Sequence, residues 1–97
     1  MFNCYEKCCI YIKCAIFVQG YNNQLLFEYL QQALKYCENR SYYYEQSALH
    51  LLAKTAKYSF NNGRFLYYIK KIREFYDRYF PNQNIFIDMF IKDIFFN

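Results

Sequence analysis

The stretch Arg64 to Phe80, RFLYYIKKIREFYDRYF, decides the fold. Placed at about 100° per residue, Phe65, Tyr68, Ile69, Ile72, Phe75, Tyr76, Tyr79 and Phe80 share one face. Arg64, Lys70, Lys71, Arg73, Glu74, Asp77 and Arg78 face away. Apolar side chains recurring every third and fourth position describe an amphipathic helix, whereas a strand alternates every second residue and is rarely this long. Residues 24–38, QLLFEYLQQALKYCE, sort the same way. Leu25, Leu26, Phe27, Tyr29, Leu30, Ala33, Leu34, Tyr36 and Cys37 fill one arc; Gln24, Glu28, Gln31, Gln32, Lys35 and Glu38 fill the rest.

Residues 42–60 carry a wider apolar arc, Tyr44, Ala48, Leu49, Leu51, Leu52, Thr55, Ala56 and Tyr58, against a narrow polar stripe of Gln46, His50, Lys54 and Lys57. A helix apolar over more than half its circumference touches neighbours on two sides, so this one is expected at the centre, with Ser41 as its N-cap. Residues 3–18 hold the β-branched and aromatic run Ile10-Tyr11-Ile12, which permits a strand, but their length favours a helix. Residues 84–96 read as a short helix with apolar groups on most faces. Turn signals separate these segments: Gln19 to Asn23, Glu38 to Ser41, Asn61-Asn62-Gly63, and Pro81 to Asn84. The expectation is one all-α domain over residues 1–97, four or five helices in an antiparallel bundle or a short stack of helical hairpins.

Composition limits the function classes. The 97 residues include 13 Tyr and 11 Phe but two Gly and one Pro, too apolar for a disordered chain. Phe, Tyr, Ile, Asn and Lys make up 50 of them, a bias of A/T-rich codons that fits a viral or mobile-element protein or another product of an AT-rich genome. The five cysteines are an odd number and no secretory leader is read, so free thiols in a reducing, intracellular compartment are expected. The apolar runs 8–18 and 85–96 fall well short of the roughly 20 residues that span a bilayer and are interrupted by charge.

The stretch Leu52 to Pro81 resembles a degenerate tetratricopeptide repeat: a helix, then Asn62-Gly63-Arg64-Phe65 at the hairpin turn, then an amphipathic helix closed by Pro81. The chain departs from that family where its aromatic before the turn falls on Ser59 and its small residue in the second helix on Tyr68. The resemblance implies a helical scaffold that binds other proteins.

Chemistry-bearing residues point away from catalysis. Cys4 and Cys8 are spaced i, i+4, and Cys9, Cys14, Cys37 and His50 could join them around zinc, but no CxxC pair is present, so the cysteines read as core-packing thiols and no metal or cofactor is expected. His50 has no orienting carboxylate at helical spacing. Lys70–Glu74, Arg73–Asp77 and Glu74–Arg78 read as surface ion pairs. Two glycines leave no phosphate-cradling loop. The chain is therefore expected not to be an enzyme.

Charge is uneven. The formal net charge is +4, and residues 54–78 hold seven cations against two carboxylates. Arg64, Tyr67, Lys71 and Arg78 form one stripe on their helix, and Lys54 and Lys57 lie on the helix before it. Such a surface suits an acidic protein or a nucleic-acid backbone. The consecutive Tyr42, Tyr43 and Tyr44 cannot all face one core, and Phe95 and Phe96 add apolar surface near the C-terminus. The expected role is a non-catalytic protein-interaction module: an adaptor, an inhibitor of a larger machine or a subunit of a large complex, with a protein or a second copy as partner. The alternative is an RNA- or DNA-binding component of a ribonucleoprotein.

Overall fold

A computed structural model describes the backbone of residues 2–96 and the side chains of residues 2–94. Five helices follow one another: α1 Cys4–Val18, α2 Asn23–Cys37, α3 Tyr42–Tyr58, α4 Asn62–Tyr79 and α5 Asn84–Phe96. The N-terminal segment is helical and no strand occurs among the described residues, so the all-α expectation holds and the strand alternative for residues 3–18 falls.

The first four helices begin at an asparagine or serine whose side chain accepts an otherwise orphan backbone N–H. Asn3 accepts from Glu6 at 2.8 Å, Asn22 from Leu25 at 3.0 Å, Ser41 from Tyr44 at 3.3 Å and Asn61 from Arg64 at 3.1 Å. The chain reverses through left-handed residues at Gly20 (φ 86°), Asn39 (64°), Phe60 (58°) and Asn82 (66°). The third is a correction to the turn read at Asn61-Asn62-Gly63. Gly63 already lies in the first turn of α4, and the left-handed position falls on Phe60, where the Asn61 N–H reaches back to Ala56 O at 2.9 Å and closes α3.

Each helix packs on its successor, and α3 alone touches all four others. The contacts fix the directions. Glu45 meets Arg78 and Gln46 meets Tyr76, so α3 and α4 run antiparallel. Gln31 meets Tyr68 and Glu38 meets Lys71, so α2 and α4 run parallel. Tyr76 meets Phe90 and Phe80 meets Phe86, so α5 runs back along α4 and therefore parallel to α3. The result is a two-layer stack of helical hairpins, with α1, α3 and α5 in one layer and α2 and α4 in the other. Among the described residues α1 meets α2 and α3 but not α4, so the helices form an open stack and not a closed bundle. The extents, 39 × 31 × 20 Å, match a slab two helix diameters thick.

The main core lies between the layers. Leu26, Phe27 and Leu30 from α2, Leu49, Leu52, Ala53 and Ala56 from α3, Tyr68, Ile72, Phe75 and Tyr76 from α4, and Ile87, Phe90 and Ile94 from α5 are all buried. The buried phenols stay satisfied: Tyr68 accepts from Gln31 at 3.1 Å and Tyr76 from Gln46 at 2.8 Å. A smaller cluster of Cys8, Ala33 and Cys37 joins α1 to α2. Burial raises the pKa of both thiols, which therefore stay protonated and pack as apolar groups. The three tyrosines divide as their spacing requires. Tyr42 packs against Phe75, Tyr79 and Phe80, Tyr44 lies against the cysteine cluster, and Tyr43 is 69% exposed.

Candidate functional site: a groove on the outer layer

The expected site was the cationic stripe of α3 and α4, and the structure engages most of it within the chain. Arg78 turns away from Glu74 and grips Glu45, with Nη1 and Nη2 each 3.0 Å from Oε2. Glu45 is 1% exposed, and it also accepts from the Asn39 N–H at 3.1 Å and the Tyr79 hydroxyl at 3.4 Å. Arg78 further donates to the Asn39 side chain, so one guanidinium ties α4 to α3 and to the α2–α3 turn. Lys71 lies 3.6 Å from Glu38, the C-cap of α2, and 4.0 Å from Glu74. Arg64 stacks its guanidinium 4.2 Å above the Phe27 ring. Lys57 donates to the Ile94 carbonyl at 2.7 Å, and Lys54 lies 3.9 Å from Asp93.

The reading of Arg64, Lys71 and Arg78 as turned away from the protein is therefore corrected: all three reach across to α2 or α3. Tyr67 is exposed as expected and borders a shallow depression with Lys35, Glu38 and Lys71. The side chains of Phe95 and Phe96 lie outside the described residues.

The outer layer carries a feature that the stripe analysis did not contain. Between α1 and α3 runs an open groove of about 480 Å³. Its α1 wall is Cys9, Ile12, Lys13 and Ile16, spaced i, i+3, i+4, i+7, which is one helix face. Its α3 wall is Tyr43, Tyr44, Ser47, His50, Leu51 and Lys54, again one face. Ile16 and Tyr43 stand 54% and 69% exposed at its rim. Within it the Tyr44 phenol meets the Cys9 thiol, whose proximity, with burial second, raises the phenol pKa. The two walls were legible as helical stripes, but nothing local shows that α1 and α3 stand apart far enough to leave a trough.

His50 is the ridge between this groove and a second one of about 370 Å³, bordered by Phe86, Met89, Phe90 and Asp93 of α5. Its Nε2 lies 2.9 Å from Asp93 Oδ2, and its ring packs edge-on to Phe90 at 4.5 Å. The carboxylate absent at helical spacing is thus supplied by another helix. Burial lowers the His50 pKa, the Lys54 charge lowers it further, and Asp93 opposes both. Among the described residues no three His, Cys, Asp or Glu side chains are grouped to hold a metal ion, and no helix is long and apolar enough to cross a membrane.

The fold and the groove define an all-α hairpin stack with an open apolar trough on one layer. No protein-family model, curated protein or solved structure matches the chain.

Proposed function

We propose that the chain is a non-catalytic protein-interaction module that holds its partner in the groove between α1 and α3. One observation carries this reading. The groove presents Ile12, Ile16, Tyr43 and Leu51 together in a continuous apolar trough with a polar rim, the make-up of a protein-binding surface. Exposed aliphatic and aromatic side chains grouped this way mark a contact site more than scattered ones do. An adaptor, an inhibitor or a subunit of a larger complex would use such a surface equally.

The nucleic-acid alternative rests on Tyr67 beside the cations of α4. It is less well supported, because Arg64, Lys71 and Arg78 already have partners within the chain.

A pull-down of the tagged chain from its native source, with and without nuclease, tests the reading when run beside two variants. Ile16→Asp changes the groove and Lys70→Glu/Arg73→Glu changes the exposed cations of α4; all these side chains are exposed, so folding is spared. The expected result is a protein retained after nuclease and lost with Ile16→Asp. Capture that survives Ile16→Asp but disappears with nuclease or with the α4 variant would move the site to α4.

A further inference from the structure

We infer that the occupant of the α1–α3 groove is an amphipathic α-helix carrying carboxylates beside its apolar stripe. The inference rests on the interaction-module reading and adds the partner's conformation and charge. Conformation follows from hydrogen bonding. Both walls are helices, whose backbone N–H and C=O groups are paired internally along their length. The groove therefore offers no edge on which an extended peptide could pair, so such a peptide would gain no backbone hydrogen bonds from Ile12, Ile16 or Leu51. A helical ligand satisfies its backbone before it arrives. The length agrees: Cys9 to Ile16 on one wall and Tyr43 to Lys54 on the other extend about 10 and 16 Å at 1.5 Å per residue, two to three helical turns.

Charge follows from the rim. Lys13 stands exposed on the α1 wall, Lys54 stands on the α3 wall with His50 one turn away, and none of the described residues lining the groove is acidic. Asp93, which borders the neighbouring groove, meets both His50 and Lys54, so Lys54 is partly neutralised and Lys13 carries the charge of the rim. The apolar floor is thus bordered by the exposed cation Lys13 on α1, and its complement is a helix with Leu, Ile or Phe at i, i+3, i+4 and i+7 and Asp or Glu on the flank that meets α1. A partner of the opposite charge would bring lysine against lysine over a desolvated floor.

The test is selection of a random 12-residue peptide display library on the full chain, with counter-selection against Ile16→Asp. The inference expects groove-dependent clones enriched in acidic residues flanking an i, i+3, i+4, i+7 apolar pattern. Synthetic copies should gain helical circular dichroism on binding. Lys13→Glu, at an exposed position, should weaken them about tenfold and favour versions in which the acidic residues are replaced by lysine, because attraction at the rim becomes repulsion. Groove-dependent clones that are neutral, basic or extended when bound would overturn the inference and leave the interaction module standing. If every clone also binds Ile16→Asp equally, and the pull-down partner does too, both fall together.

Discussion

Removing the Arg78 guanidinium is expected to destabilise the stack strongly, although Arg78 lies near the surface and belongs to the cationic stripe. Glu45 is buried to 1% exposure, and among the described residues Arg78 is the cation that meets it, bound at 3.0 Å through two nitrogens. Arg78→Ala strands a carboxylate between α3, α4 and the α2–α3 turn. Breaking one side of a fully buried pair costs roughly 3–5 kcal/mol. The Arg78 side chain is itself 34% exposed, so water reaches the vacated space and the lower limit applies, about 3 kcal/mol. For a domain of this length that is a fall in Tm of roughly 12–24 °C. Arg78→Lys keeps the charge but loses the fork that meets both carboxylate contacts, and should fall between parent and alanine variant. Glu45→Gln combined with Arg78→Ala should be more stable than the sum of the single changes, because no buried charge is then left alone. Urea unfolding followed by circular dichroism measures all four. An Arg78→Ala chain within about 0.5 kcal/mol of the parent, the range of an ordinary surface substitution, would refute the reasoning and return Arg78 to the pool of cations open to a ligand.

Two other expectations follow from single residues. Phe60 holds a left-handed backbone at φ 58° with its side chain 88% exposed, so Phe60→Gly relieves strain while losing little packing. It should stabilise the chain by about 1 kcal/mol, read as a higher Tm, and a lower Tm would show that the ring contributes packing its exposure does not suggest. His50, with its pKa lowered chiefly by burial, is held more neutral in the folded state than in the unfolded one. Its contribution to stability is therefore complete above its unfolded pKa of about 6.5 and is lost as pH falls through the lower folded value. Denaturant midpoints between pH 8 and pH 5 should decline less steeply in His50→Gln, and parallel profiles would exclude the histidine as the source.

The helices were legible because burial in this chain follows the 3.6-residue period. The eight apolar residues read as one face of α4 are all at least half-buried, and Gln24, Glu28, Gln31, Gln32 and Lys35 of α2 are exposed as read. The central position of α3 followed from its wide apolar arc, which its contacts with four helices explain. Polar pairing was not legible, since Glu45–Arg78 and His50–Asp93 join residues on different helices and helical spacing reports only neighbours on one. Local propensity misplaced the α3–α4 turn, because Asn61 is used to cap α4 and the left-handed position then falls on the residue before it. The groove escaped for a third reason. It is a gap set by how α1 and α3 both pack on α2, and a helical wheel displays faces without separations.

The two uses open to the cationic stripe differ in a measurable number. Each lysine or arginine that neutralises a phosphate on a single strand contributes about −0.7 to the slope of log affinity against log salt. Were Lys54, Lys57, Arg64, Lys71 and Arg78 all to contact RNA, the slope would approach about −3.5. Four of them face a carboxylate or a backbone carbonyl within the chain, and Arg64 is stacked on Phe27. Exchanging those partners for phosphate gains little, because each cation must first give up the carboxylate, carbonyl or ring that already offsets its charge within the chain. The exposed cations of α4 that remain are Lys70 and Arg73, which give a slope near −1.4. Fluorescence anisotropy with a 12-nucleotide uridine oligomer between about 50 and 200 mM salt should therefore show weak binding with a slope shallower than about −2. A slope near −3.5 would mean that the intramolecular pairs open when RNA arrives, and the cationic stripe would then displace the groove as the functional surface.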